Sequence, residues 1–178
     1  MKRLSAFLCA LGLFGTPAMA ALPVGAQAPA FVTKGALAGK DFTFNLRAAL
    51  AKGPVVLYFY PKAFTQGCTL EAHAFAEAMP EFRAAGAQVV GLSADDLPTL
   101  RRFSTEACRD AFPVAVANAA TIRAYDVALT RNGAQTGMTD RTSYVIGRNG
   151  RVVMVHSDLD WREHVKLTLA AVKTLKTK

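Results

Sequence analysis

The strongest constraint in this chain is the stretch Val55-Val-Leu-Tyr-Phe-Tyr-Pro-Lys-Ala-Phe-Thr-Gln-Gly-Cys-Thr-Leu-Glu71. Val55 to Tyr60 carry no charge and are mostly β-branched or aromatic, which predicts a strand buried on both faces. Pro61 ends it, because proline has no N–H to give to a ladder. A short loop with Gly67 follows, then Cys68, then helix-forming composition from Thr69 to Met79. The cysteine is therefore expected in the first turn of a helix that leaves the carboxyl end of a core strand. Open α/β sheets bind ligands at that edge. Unpaired amides and the positive end of the helix dipole gather there, and both favour a thiolate over a thiol.

The other elements follow from patterning. Residues 21–32 hold Pro23, Gly25 and Pro29 and read as an extended lead-in. Lys40 to Leu46 alternates as a strand, and Arg47 to Ala51 makes one helical turn. Pro80 is expected to break or kink the cysteine helix, leaving a second piece from Pro80 to Ala85 closed by Gly86. Ala87 to Ser93 reads as a short buried strand. Asp95 or Asp96 caps a helix with Pro98 at its start, running to about Cys108 or Arg109. Phe112 to Val116 is a further strand, Ala119 to Tyr125 a short helix, and residues 130–140 a polar loop. Thr142 to Ile146 and Arg151 to His156 flank Asn149-Gly150 as a hairpin. The last helix, from about Trp161 to Leu175, sets Trp161, Val165, Leu169 and Val172 on one face. The order β-α-β-α-β-α, then a hairpin, then a helix, predicts an α/β chain with the thioredoxin-like fold. One mixed central sheet is flanked by helices in a single domain, residues 21–178.

Residues 1–20 are set apart from that domain. Lys2-Arg3, the apolar run Leu4 to Gly15 and Ala18-Met19-Ala20 have the three parts of a secretory signal cut after Ala20. The run is too short to span a bilayer, and Cys9 within it has no lipoprotein-like cleavage box. The expected mature chain is exported, to the periplasm, and keeps Cys68 and Cys108 where a disulfide can persist. Losing Lys2 and Arg3 leaves 19 basic against 13 acidic side chains, a formal charge of +6. The basic residues are scattered and do not alternate with aromatics, so neither nucleic acid nor membrane is an expected partner.

Spacing narrows the chemistry of Cys68. A Cys-x-x-Cys dithiol is absent, since Thr65 and Glu71 stand three residues to either side. Ala72, four residues on, leaves no copper-type Cys-x-x-x-Cys pair. Two mature cysteines and three scattered histidines show no zinc-ligand spacing, and no metal or cofactor is expected. What is present is Pro61, Thr65 and Cys68 in the pattern Pro-x-x-x-Thr-x-x-Cys. This resembles the peroxiredoxin signature. The fuller string from Phe59 to Glu71 is similar to that of the bacterioferritin-comigratory-protein (PrxQ-like) branch. Val24-Gly-Ala-Gln-Ala-Pro-Ala-Phe31 resembles the family's N-terminal segment, and Arg141-Thr-Ser-Tyr-Val-Ile146 its arginine-bearing strand.

The resemblance implies a thiol-dependent peroxidase that reduces hydrogen peroxide and organic hydroperoxides. Cys68 attacks one peroxide oxygen while the other leaves. Arg141, permanently protonated and rich in donors, stabilises the sulfur and the developing charge on the oxygens. The Thr65 hydroxyl accepts from and donates to the peroxide, and the Gly67 and Cys68 amides complete the cradle. Pro61 shields the sulfur, and Glu71 orients Arg141 through a charge-assisted bond. Singly, each residue has a plainer explanation: strand terminator, cap, dipole complement or surface cation. Their joint order and spacing favour the site.

The product, Cys68 sulfenic acid, has to be recycled. Many relatives in the branch carry a resolving cysteine five positions on, where this chain has His73. Some place it in the helix after the second strand of the parallel set, which implies Cys108 as the resolving residue after partial unwinding of the cysteine helix. A buried, inert Cys108 with a one-cysteine mechanism and an intersubunit disulfide remain open. His73 is available to tune the thiolate, while His156 and His164 read as structural. The implied partners are a peroxide and a thiol reductant, with the chain a monomer or weak dimer. A redox-sensing module or a general thiol–disulfide oxidoreductase of the same fold are the alternative functions.

Overall fold

A computed structural model describes residues 21–176. The expected signal, residues 1–20, lies outside the described residues.

The stretch that opens the sequence builds the centre. β3 (Val55–Phe59) is buried at every position, and its alternate side chains feed two different layers. Val56, Tyr58 and the following Tyr60 join a core beneath α2 (Gln66–Ala84), α3 (Leu97–Glu106) and α5 (His164–Lys176). Val55, Leu57 and Phe59 join a second core with α1 (Leu46–Lys52) and α4 (Ala119–Ala124). β3 runs parallel to β4 (Gln88–Ser93) on one side and antiparallel to β8 (Thr142–Ile146) on the other. With β1 (Val32–Leu37), β2 (Lys40–Asn45), β5 (Val114–Val116) and β9 (Val152–Ser157), the seven-stranded sheet has the order β2-β1-β5-β4-β3-β8-β9. This is the mixed sheet between helices that the element order predicts. No helix among the described residues is long and apolar enough to cross a membrane.

Several local expectations are corrected. α2 is continuous through Pro80. Pro80 is exposed while Met79 and Phe82 are buried, so the proline sits on the outer face and the packing of its neighbours carries the helix across. β1 was hidden from patterning because its outward and inward positions do not alternate cleanly. Residues 130–140 are mostly hairpin: β6 (Ala128–Arg131) pairs with β7 (Ala134–Thr139). Its strands are largely exposed, so no apolar alternation marks them. The two-residue connection Asn132-Gly133 has φ of 51° and 77°, the left-handed pair of a type I′ turn. α3, capped by Asp96, stops at Glu106, so Cys108 lies in the turn beyond it. β5 starts at Val114, and Phe112 packs in the core before it. Trp161 begins a 3₁₀ turn, and the deepest line of α5 is His164, Thr168 and Val172.

His164 ties α5 to β8. Its Nε2 faces the Asp158 carbonyl at 2.9 Å, and a carbonyl only accepts, so Nε2 carries the proton. Nδ1 then accepts from the Ser143 hydroxyl at 2.8 Å. Burial first, with repulsion from His156 and Arg141 against the favourable Asp158 carbonyl, holds this imidazole down to about 4. An unfolded chain takes up the proton near pH 6.5 and the folded one only near 4, so this contribution to stability is intact above 6.5 and lost as pH falls to 4. The loss is about 3 kcal/mol. Urea unfolding at pH 7 and pH 4.5 should show a drop in midpoint that is clearly smaller in His164→Gln.

Candidate active site

The site is assembled where β3 ends. Tyr60 N–H still bonds the Leu92 carbonyl at 3.0 Å, and the chain then leaves the sheet at Pro61. Ala63 N–H is held by Asp95 Oδ2 at 2.8 Å, and Phe64 adopts a left-handed φ of 63°. Its ring stands edge-on to Phe103 of α3 at 5.3 Å, with the Arg102 guanidinium over it at 4.9 Å. This pinned loop delivers Thr65 as the N-cap of α2. The first main-chain bond of the helix is Thr69 N–H to Thr65 carbonyl, 2.9 Å. Gln66, Gly67 and Cys68 amides therefore precede any intrahelical partner.

Cys68 is buried, and its Sγ accepts from Arg141 Nη2 at 3.4 Å. Glu71, one turn further along the same helix face, meets Arg141 Nη1 through Oε2 in a direct ion pair. Arg141 Nε donates to the Leu159 carbonyl at 2.8 Å. The guanidinium is thus held by a carboxylate, a carbonyl and the cysteine sulfur. Arg141 immediately precedes β8, whose register sets Thr142 opposite Phe59. That pairing brings position 141 to the end of the central strand. At Gly67, a Cβ would stand 3.3 Å from Arg141 Nη2 and 3.6 Å from Trp161 Cδ1. The bare position lets the guanidinium come in against the helix.

Charge in this cluster is balanced by contact. Burial works against the Arg141 charge, but Glu71 and Cys68 outweigh it and hold the group above its usual range. Burial pushes the Glu71 carboxyl up to about 8, against the downward pull of Arg141. These two tendencies oppose each other, since the gain at Arg141 needs an ionised Glu71. The contact of Oε2 with a permanently charged guanidinium makes the carboxylate the form the pair stabilises, with a higher proton affinity than an exposed glutamate. Glu71 Oε1 has no hydrogen bond and lies 3.9 Å from His164 Nδ1.

Cys68 and Glu71 are both in contact with Arg141, and Gly67 lies against its guanidinium. Pro61 is half-buried at the loop entrance. Thr65 is exposed, and its hydroxyl proton is committed to the Lys62 carbonyl at 2.9 Å. In this arrangement it presents lone pairs to a ligand rather than a donor. His73 is half-buried on α2. Three neighbours of the cluster escape sequence reading: the Leu159 carbonyl, because any residue supplies one, Trp161, and His164, whose ring lies 3.9 Å from Glu71 Oε1 without bonding it. A cleft of about 500 Å³ lies elsewhere, by Gly53, Gly86 and Arg148.

Cys108 is free and fully buried, as Cys68 is nearly so. Burial pushes its thiol up, partly offset by a contact from the Tyr58 hydroxyl. That hydroxyl makes no hydrogen bond of regular geometry, so the contact is a weak one. The phenols of Tyr58 and Tyr60 are both driven well up, by burial first, and both cysteine sulfurs add to it. The two thiols and the two tyrosines belong to one buried cluster on the same side of the sheet, and the thiols are not joined.

Residues 24–155 match the model of the AhpC/TSA family. Peroxiredoxin Bcp of Xanthomonas campestris pv. campestris is 35% identical over 145 residues, covering 74% of this chain and 90% of the relative. Among solved structures, Peroxidoxin BcpB from Mycobacterium tuberculosis superposes with a TM-score of 0.76 at 28% identity, over 85% of this chain and 97% of that one. The Xanthomonas campestris bacterioferritin comigratory protein, solved as trapped intermediate and ligand complexes bearing on its alkyl peroxide reduction activity, gives 0.71 at 33% identity, over 80% and 91%. An ionic cluster around Cys68 and a matching sheet thus coincide with relatives that carry the peroxiredoxin name, and the chain belongs to the AhpC/TSA family of peroxiredoxins.

Proposed function

We propose that the protein is a thiol peroxidase in which Cys68 reduces hydrogen peroxide and organic hydroperoxides. The observation that carries this is the 3.4 Å contact of Cys68 Sγ with an Arg141 guanidinium locked by Glu71 and the Leu159 carbonyl. A thiolate at this position has its counter-charge in place, and the same donors face the oxygen that leaves. Sulfur takes one peroxide oxygen as the O–O bond breaks, giving Cys68 sulfenic acid. The departing hydroxide or alkoxide takes up a proton and leaves as water or alcohol. Thr65 Oγ and the first-turn amides position the peroxide, and Pro61 covers the sulfur from the loop side.

Cys108 is the resolving residue of this reading, supported by its membership of the same buried cluster as Cys68, Tyr58 and Tyr60. Its thiol displaces the sulfenic oxygen as water and leaves a Cys68–Cys108 disulfide, which an external dithiol reduces by exchange. Because Cys108 is wholly buried, both the first turn of α2 and the turn at 108 have to move for the sulfurs to meet. Residues 1–20 are proposed as a secretory signal, on the strength of Lys2-Arg3, the apolar run and Ala18-Met19-Ala20. The protein would then act in the periplasm, with a reductant resident there.

Stopped-flow consumption of peroxide with a dithiol donor tests the first step. Cys68→Ser should show no turnover above the buffer background. Arg141→Lys, which keeps the charge but not the planar fork, should lose about 10²- to 10³-fold in the second-order rate constant. Equal rates in Arg141→Lys and wild type would remove the guanidinium from the mechanism.

Peptide mapping without reductant, after one equivalent of peroxide, tests the second step. The expected species is a Cys68–Cys108 disulfide within one chain. Sulfenic or sulfinic Cys68 with free Cys108, or a cross-link between two chains, would overturn it.

A further inference from the structure

The turn that carries Cys108 is strained, clasped and flanked by open space. It follows α3, and its backbone passes through Arg109 and Asp110 with φ of 51° and 57°. Two consecutive left-handed residues, neither a glycine, are held only where the surroundings enforce them. The enforcing contacts are local and few. Cys108 N–H bonds the Phe103 carbonyl, Asp110 N–H the Ser104 carbonyl, and Ala111 N–H the Cys108 carbonyl, at 2.9 to 3.0 Å. Two side chains then reach the turn from outside. Glu77 Oε1 accepts from Arg109 Nη1 at 3.1 Å, and Arg83 Nη2 donates to the Ala111 carbonyl at 2.6 Å.

Both of these come from α2, the helix whose first turn bears Cys68. They sit on its outer, solvent-facing side, well past the cysteine and apart from the Arg141 cluster. Beside the same turn runs a groove of about 440 Å³ bounded by Met79, Arg83, Asp110, Ala111 and Phe112. The turn is therefore tied down by two exposed contacts and has room next to it.

We propose that Glu77 and Arg83 form a latch on the Cys108 turn, and that its release sets how fast Cys108 reaches oxidised Cys68. This rests on the reading of Cys108 as the resolving residue. When the latch opens, the left-handed residues relax and the thiol leaves its place against Tyr58. In the step that follows, the Cys68 S–O bond breaks and an S–S bond forms. The sulfenic oxygen takes the Cys108 proton and departs as water. While the latch is shut, Cys68 sulfenic acid waits, and a second peroxide can carry it to sulfinic acid. The latch thus divides oxidised enzyme between a recoverable disulfide and overoxidised protein.

The test compares wild type with Glu77→Gln, Arg83→Met and the double variant. Samples are oxidised with hydrogen peroxide, quenched with an alkylating agent over a time course, and read by intact mass. Each single variant should form the disulfide about two- to fivefold faster, and the double variant about tenfold faster, the range for exposed ion pairs and hydrogen bonds to a carbonyl. Oxidation of Cys68 itself should keep its wild-type rate, and the sulfinic fraction at excess peroxide should fall. A double variant that forms the disulfide at the wild-type rate or slower overturns the latch alone. A wild-type chain that forms no Cys68–Cys108 disulfide overturns the resolving reading and the latch with it.

Discussion

Everything at this site depends on keeping one guanidinium charged inside the protein. Arg141 is 5% exposed, and an arginine out of water is costly unless its charge and its donors are matched. Glu71 supplies the opposite charge, the Leu159 carbonyl takes Nε, and Cys68 stands before Nη2. Removing Glu71 would leave the cation with a carbonyl and a sulfur. Glu71 in turn is wholly buried and is kept ionic only by Arg141, so neither is stable there without the other. The sulfur is the third member of an arrangement that two charges already hold in place.

That arrangement is a consequence of strand order. Cys68 and Arg141 are 73 positions apart, and their meeting is arranged by pairing β8 directly against β3 in antiparallel register. A β-strand alternates faces, so a slip of one residue would send Arg141 to the opposite side of the sheet. The register is secured by side chains on both faces: Tyr144 packs with Phe59 and Tyr125 below, while Ser143 bonds His164 above. Thr139 adds a hydroxyl bond to the Tyr60 carbonyl at 2.6 Å, just where β3 stops. The core packing and the geometry of the site are therefore one problem with one solution.

How much of this is legible in the sequence follows from the range of each signal. β3 and the start of α2 are legible because an uninterrupted apolar run, Pro61 and Gly67 are local marks. Glu71 is legible as one helical turn from Cys68. Arg141 is legible as a partner only through family resemblance, since nothing in residues 130–141 by itself announces which strand they will join. The contacts from Leu159, Trp161 and His164 are set by tertiary placement and leave no local trace. Pro80 misleads for the opposite reason: its local penalty is real, and burial of Met79 and Phe82 around an exposed proline outweighs it. The hairpin at Asn132-Gly133 shows a signal that is present but unaccompanied, a turn dipeptide between strands with no apolar face.

Cys68 and Cys108 present a contrast that the fold does not resolve in its resting form. Cys68 is buried beside a fixed cation and at a helix mouth, where the proposed reaction needs no movement of the sulfur. Cys108 is buried among aromatic rings, where burial drives its thiol toward the inert, protonated form. In the proposed cycle Cys108 gains reactivity only by leaving that surrounding, and leaving it exposes core. Cys108 lies outside the regular helix, in a turn with two consecutive left-handed residues and exposed outer ties. Strain lowers the cost of opening this turn, and exposed ties are weak. Set one turn earlier, inside α3, the same thiol would be freed only by unwinding a capped and packed helix, whereas at position 108 the proposed disulfide asks for movement of this turn and of the first turn of α2.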